Sequence, residues 1–200
     1  MILERFYPIV PDVGWLERIV PLGVKFVQLR IKDASPADVA AQAKRANAFC
    51  RQHGCTLVLN DYWEAALDGG VGFIHLGQED LRDADLEAIK LAGVKLGIST
   101  HDAAELDIAL AAEPDYVALG PIYETKLKAM PWLPQGIDKV KEWRLRLGKL
   151  PLVAIGGLTP ERAAGVLEAG ADSLAVITDF FTAPDPEARI ELWLRQLQTR

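Results

Sequence analysis

Eight short apolar runs, most of them followed by a segment with helical spacing, predict an α/β fold: a (β/α)8 TIM barrel, a parallel sheet closed on itself inside a ring of helices. The count of eight favours the barrel over an open doubly wound sheet, which usually has five or six strands. No GxGxxG follows the first run either, and the alternation without a long polar linker means a parallel sheet with helices outside. A chain of 200 residues can bury one sizeable core, so residues 1–200 are read as a single barrel domain.

The runs lie at residues 6–10 (FYPIV), 25–30 (KFVQLR), 56–60 (TLVLN), 72–76 (GFIHL), 94–99 (VKLGIS), 115–120 (DYVALG), 151–156 (PLVAIG) and 173–178 (SLAVIT). About fourteen residues separate the first two, which leaves room only for a shortened first βα unit. In the second run, Val27, Leu29 and Ile31 share one face at period 2, and Phe26, Gln28, Arg30 and Lys32 the other. Outer helices can bury the first set. The second set carries an amide, a guanidinium and an ammonium towards the carboxyl end of the strand, where the active sites of barrels lie. Pro36 opens the clearest helix: Val39, Ala43, Ala46 and Cys50 recur at three- and four-residue intervals, and Gly54 stops the run. Thr159, Pro160 and Glu161 read as N-cap, first helical residue and first-turn acid, with Ala163, Val166 and Leu167 on an apolar face and Gly170 past the end. Residues 120–136 (GPIYETKLKAMPWLPQG) have little periodicity and read as a long loop after the sixth strand, of the kind that often forms an active-site lid.

Composition limits the partners. Half of the residues are hydrophobic and a quarter charged, and the net charge of −6 argues against nucleic acid or an anionic membrane as a general partner. No apolar stretch approaches the ~18 residues of a membrane span, and Met1 leads into LERFYPIV without a secretory signal, so a cytoplasmic protein is expected. Cys50 and Cys55 are expected to be reduced, partly buried thiols rather than a disulfide or a metal site.

Against this acidic background the charges at the strand ends stand out. The third strand ends in Asn60-Asp61, the fourth runs into His75-Leu76-Gly77-Gln78-Glu79-Asp80, the fifth ends in Ser99-Thr100-His101, and the loop after the sixth carries Thr125, Lys126 and Lys128. Two carboxylates among several cations suit a Mg2+-bound polyphosphate, since magnesium takes oxygen ligands from one or two carboxylates, phosphates and water. Residue by residue the competing readings are structural: Asp61 and Asp80 as helix caps, Arg30 as an ion-pair partner. The set as a whole reads as a site. Ile155-Gly156-Gly157 and Ile177-Thr178, at the ends of strands seven and eight, read as a second, backbone-lined anion site. His75 and His101 are acid–base candidates, with hydrogen-bonded structure as the competing role.

With these residues in place the chain resembles the thiamine-phosphate synthase family. The resemblance runs through nearly the whole length and is carried by Gln28-Leu29-Arg30-Ile31-Lys32, Asn60-Asp61, His75-Leu76-Gly77-Gln78-Glu79-Asp80, Gly120-Pro121-Ile122-Tyr123 and Ala154-Ile155-Gly156-Gly157. It implies a TIM-barrel enzyme that joins 4-amino-2-methyl-5-(diphosphooxymethyl)pyrimidine to a thiazole phosphate, giving thiamine phosphate and pyrophosphate. Carried over by position, the segment Gln28, Leu29, Arg30, Ile31 and Lys32 would bind the pyrimidine diphosphate with Asn60, Ser99 and Lys128, Arg30, Lys32 and Lys128 carrying the chemistry. Asp61 and Asp80 would hold Mg2+. Thr125 with Lys126 and Leu127, Gly156, Gly157, Ile177 and Thr178 would bind the thiazole phosphate. Three departures are visible: the short first βα unit, a loop reading Glu124-Thr125-Lys126-Leu127-Lys128 where the family has Pro-Thr-x-Thr-Lys, and Thr178 where serine is frequent. A related thiazole tautomerase, or a non-catalytic binder of thiazole or thiamine phosphate, are the alternative readings. The number of copies is left open, a homo-oligomer included.

Overall fold

The protein is described by a computed structural model over residues 3–125 and 132–198. Eight parallel strands close into a barrel in sequence order: β1 (Phe6–Val10), β2 (Phe26–Leu29), β3 (Thr56–Asn60), β4 (Phe73–Leu76), β5 (Lys95–Thr100), β6 (Tyr116–Leu119), β7 (Leu152–Ile155) and β8 (Ser173–Val176). Closure brings β8 back to β1, with Tyr7 opposite Ala175. The runs predicted for β1 and β3 match the strands, that for β5 is displaced by one residue, and the others overshoot by a residue or two, where their terminal residues belong to the turns.

The helices are α1 (Val13–Ile19), α2 (Pro36–Gln52), α3 (Trp63–Gly69), α4 (Gln78–Asp83), α5 (Leu86–Leu91), α6 (Ala103–Ala111), α7 (Gly136–Leu147), α8 (Pro160–Glu168), α9 (Thr178–Phe181) and α10 (Pro186–Gln198). The first βα unit is short, as expected: α1 has seven residues and runs into a 3-10 turn at Val20–Leu22. In α2 the Ser35 hydroxyl accepts from the Asp38 amide, Pro36 fills the first turn, and Val39, Ala43, Ala46 and Cys50 are the buried positions. Thr159 precedes α8 without a side-chain cap, a departure from its expected role. Both cysteines are buried and free.

Strand alternation divides the apolar residues into two layers. Val27, Leu29 and Ile31 belong to the layer between strands and helices. Tyr7, Ile9, Phe26, Val58, Phe73, Tyr116, Ala118, Val153 and Ala175 fill the barrel itself. Four of these are aromatic and touch in a closed circuit: Tyr7 to Phe26 at 4.3 Å between centroids, Phe26 to Phe73 at 5.6 Å, Phe73 to Tyr116 at 5.5 Å, and Tyr116 back to Tyr7 at 6.1 Å, edge-on. Tilted and edge-to-face contacts of this kind add to the area they bury. Tyr116 lies against β5 opposite Gly97, where a Cβ would come within 2.1 Å of the tyrosine Cζ.

Gly97→Ala is therefore expected to displace Tyr116 and to destabilise the fold by about 1–3 kcal/mol, roughly 2–12 °C in Tm. Gly72→Ala, where an added Cβ meets nothing within 4 Å, is the control and should be near neutral. Thermal unfolding of the two variants checks this; equal stability would show that Tyr116 does not depend on the space at Gly97.

Candidate active site

Above the aromatic layer the inward positions turn polar. Gln28 on β2, Asn60 on β3 and His75 on β4 are only 2%, 4% and 7% exposed, and Ser99 on β5 is half-buried. Gln28 Oε1 and Asn60 Nδ2 have no hydrogen-bond partner among the described residues. A buried polar atom left unpaired costs about 1–3 kcal/mol, so these two atoms fit a polar ligand seated against them.

Past the strand ends the charges gather. Arg30 is half-buried directly after β2, and its amide donates to the Val10 carbonyl at 2.8 Å, which ties this rim to β1. Asp61 follows β3 in the left-handed region at φ 67°, and its amide donates to the His75 carbonyl at 2.9 Å. Asp80 lies in the first turn of α4. The caps of α3 and α4 are Tyr62 and Gly77, so neither aspartate is a cap residue. Burial first, and then the neighbouring Asp80 charge and hydrogen bond, push the Asp61 carboxyl up to about 6 against the pull of Arg30 and Lys32. Asp80, Arg30 and Lys32 thus all act on Asp61 at one mouth. Two carboxylates this close favour a cation between them. Among the described residues no cluster of three or more His, Cys, Asp or Glu forms, so such a cation would take its further ligands from substrate oxygens or water.

The histidines are held as structure. His75 Nδ1 is 2.7 Å from the Tyr116 hydroxyl and Nε2 is 2.8 Å from the Ser99 hydroxyl. Burial, helped by the Arg30 charge, lowers its pKa to about 4, so the ring is neutral at physiological pH. His101 bonds Glu105 at 2.7 Å through Nδ1 and stacks on Trp132 at 5.1 Å. Gln135 donates to the His101 carbonyl at 2.9 Å, so His101 anchors the far end of the loop after β6. The near end is pinned by Ile122 and Tyr123 amides donating to the carbonyls of Ile155 and Gly156.

That contact accounts for the two glycines. A Cβ on Gly156 would lie 2.6 Å from Pro121, and one on Gly157 2.5 Å from the Glu124 carbonyl, with both residues at positive φ. They first of all let the loop lie close, and in doing so bring half-buried Thr125 to the same side of the mouth as the end of β7. Ile177 and Thr178 stand at the end of β8 and the start of α9, both half-buried. Leu29 and Ile31 lie on the helix-facing side that strand parity predicts, with their side chains buried, so only their backbone is open to a ligand. Lys126, Leu127 and Lys128 lie outside the described residues.

Three contributors escaped the sequence reading. Tyr7 and Tyr116 bond each other at 2.9 Å beneath the site, and Gln78 donates to the Ser99 carbonyl at 2.7 Å. The available signal was parity: a tyrosine at an inward strand position must find a partner for its hydroxyl.

A family model for thiamine monophosphate synthase matches residues 7–180. A thiamine-phosphate synthase of Rhizobium etli is 59% identical over 194 residues, 97% of this chain and 95% of its own. The chain belongs to the thiamine-phosphate synthase family. A thiamine-phosphate synthase of Citrobacter koseri is 46% identical over 179 residues, 90% of this chain and 85% of its own. Among solved structures, the thiamine phosphate pyrophosphorylase from Pyrococcus furiosus superposes with a TM-score of 0.84 over 98% of this chain and 96% of its own; at 24% identity that likeness speaks for the fold. The chain is a transferase of this family, and its function is thiamine-phosphate synthesis. Neither the tautomerase nor the non-catalytic binder finds support in these matches. Among the described residues no helix is long and apolar enough to cross a membrane.

The Asp61–Asp80 pair has a stability consequence. Its folded-state pKa lies above the ordinary 3.8, so the stability Asp61 contributes is present below that value and lost as pH rises through about 6. In chelator, Asp80→Asn should relieve the part of this loss that Asp80 causes, the burial part remaining, and its Tm relative to wild type should climb between about pH 4 and 6. A Tm difference flat across that window would mean the two carboxylates do not interact.

Proposed function

We propose that the chain joins 4-amino-2-methyl-5-(diphosphooxymethyl)pyrimidine to a thiazole phosphate, releasing pyrophosphate, with its catalytic groups at the mouth described above. The observation that carries this reading is the convergence of Arg30, Lys32 and Asp80 on Asp61 at one rim, beside the unpaired Gln28 Oε1 and Asn60 Nδ2. Asp61 and Asp80 would hold Mg2+, which when bound supplies positive charge to the diphosphate.

The chain's own residues divide the remaining work. Gln28, Asn60 and Ser99 orient the pyrimidine, and Arg30, Lys32 and Lys128 neutralise charge that grows on the leaving diphosphate. The bond from the pyrimidine methylene carbon to oxygen breaks, with its electron pair leaving on the diphosphate, and the thiazole nitrogen lone pair forms the new carbon–nitrogen bond. No proton transfer is needed in either event. This suits a mouth whose buried histidine is neutral and committed at both ring nitrogens. Thr125, Lys126, Leu127, Gly156, Gly157, Ile177 and Thr178 hold the thiazole phosphate, and the aromatic layer below keeps water from reaching the cation from beneath. One barrel domain spanning residues 1–200, acting in the cytoplasm on small-molecule substrates, completes the reading.

The direct test is to mix both substrates with Mg2+ and look for thiamine phosphate and pyrophosphate. Chelation should abolish the product, and its persistence without divalent metal would remove Asp61 and Asp80 from the metal role. Arg30→Ala should lower kcat by orders of magnitude with the fold intact, because the contact strengthens in the transition state; near-normal turnover would remove that assignment. Leu127→Thr restores one neutral hydrogen bond, about 1–2 kcal/mol, and should change the thiazole-phosphate KM by no more than roughly tenfold.

A further inference from the structure

Five side chains from five strands form one unbranched hydrogen-bond chain through the barrel. Gln28 Nε2 lies 2.9 Å from the Tyr7 hydroxyl, Tyr7 2.9 Å from the Tyr116 hydroxyl, Tyr116 2.7 Å from His75 Nδ1, and His75 Nε2 2.8 Å from Ser99 Oγ. Its two ends, the Gln28 amide and the Ser99 hydroxyl, belong to the site. Its middle does not, since Tyr7 and Tyr116 are 1% and 0% exposed.

Each tyrosine has one proton and two neighbours in this chain, and a neutral imidazole has one N–H. Every link needs one proton and no more. Only two arrangements satisfy all four links and leave neither buried phenol proton without an acceptor. In the first, the Gln28 amino group donates to Tyr7, Tyr7 to Tyr116, Tyr116 to His75 Nδ1, and His75 Nε2–H to Ser99. The mouth then meets a Gln28 carbonyl acceptor and a Ser99 O–H donor. In the second every direction is reversed, the amide is turned over, and the mouth meets an amino donor and a hydroxyl acceptor. Arg30 follows Gln28 two residues on along the same inward face, and its positive charge favours an amide turned with its oxygen outward. The structure has that orientation, with Oε1 as the unpaired atom.

We propose that Tyr7, Tyr116 and His75 are positioning residues that hold the first arrangement and so couple the polarity of Gln28 to that of Ser99 across the barrel. A ring edge offering a donor to Gln28 and an acceptor to Ser99 is then matched at both points. A 4-aminopyrimidine has such an edge, with its exocyclic N–H beside a ring nitrogen, whereas the 4-oxo analogue presents the opposite pair. Rejecting the analogue requires the whole chain to stay set, because one end cannot turn without the other. This deepens the function proposed above, and rests on Gln28 and Ser99 facing the pyrimidine.

The test compares kcat/KM for the 4-amino and 4-oxo pyrimidine diphosphates in wild type, Tyr7→Phe and Tyr116→Phe, substitutions that keep the rings and each delete two links. The expected result is strong preference for the amino substrate in wild type, reduced at least tenfold in both variants, with the thiazole-phosphate KM within about twofold of wild type. An unchanged preference in both variants overturns the proposal. A second readout needs no turnover. The chain has three histidines, so 15N-histidine labelling gives three imidazole signals, and His75 should be the Nε2–H tautomer in wild type and a mixture in Tyr116→Phe. A wild-type His75 protonated on Nδ1, or on both nitrogens at neutral pH, overturns the coupling. A wild type that makes no thiamine phosphate overturns the proposed function instead, and the tautomer measurement still decides the chain.

Discussion

Four aromatic rings in the barrel interior are the constraint on which the site rests. Tyr7, Phe26, Phe73 and Tyr116 close the space between the strands, and their packing decides how deep a ligand can enter. The circuit exists because β5 contributes no side chain at Gly97, the one place where the Tyr116 ring lies. Two of the four rings end in hydroxyls, and burial keeps both phenols protonated and obliges them to pair. The floor therefore fills volume and also passes hydrogen-bond direction from one side of the mouth to the other.

Above that floor the balance of charge is local rather than global. The chain is acidic by −6, yet its site sets Arg30 and Lys32 against Asp61 and Asp80. A carboxyl raised to about 6 records its burial first and then the repulsion of Asp80, which a cation between them would offset. Stability is given up at this point for the capacity to bind, a trade common where ionisable groups are gathered for chemistry.

The loop after β6 joins the two halves of the mouth. Its near end lies along β7 because Gly156 and Gly157 have no Cβ, and its far end is held to β5 by His101, Trp132 and Gln135. The glycines thus do structural work on one side of their backbone.

Much of this was legible in one dimension. Short runs at barrel spacing, the period of α2 from Val39 to Cys50, and the parity of Gln28 and Arg30 against Val27 and Leu29 are local properties, and local sterics and burial decide them. The family was legible too, because its motifs sit at strand ends as contiguous residues. What only the tertiary structure decided are contacts between residues far apart in sequence. Tyr7 meets Tyr116 across 109 positions because closure of the sheet brings distant strands to face one another inside the barrel. His75 looked like an acid–base candidate until both ring nitrogens were seen to be committed. A side chain's type and face follow from its own stretch of chain; its partners follow from closure, which brings together residues that no local pattern links.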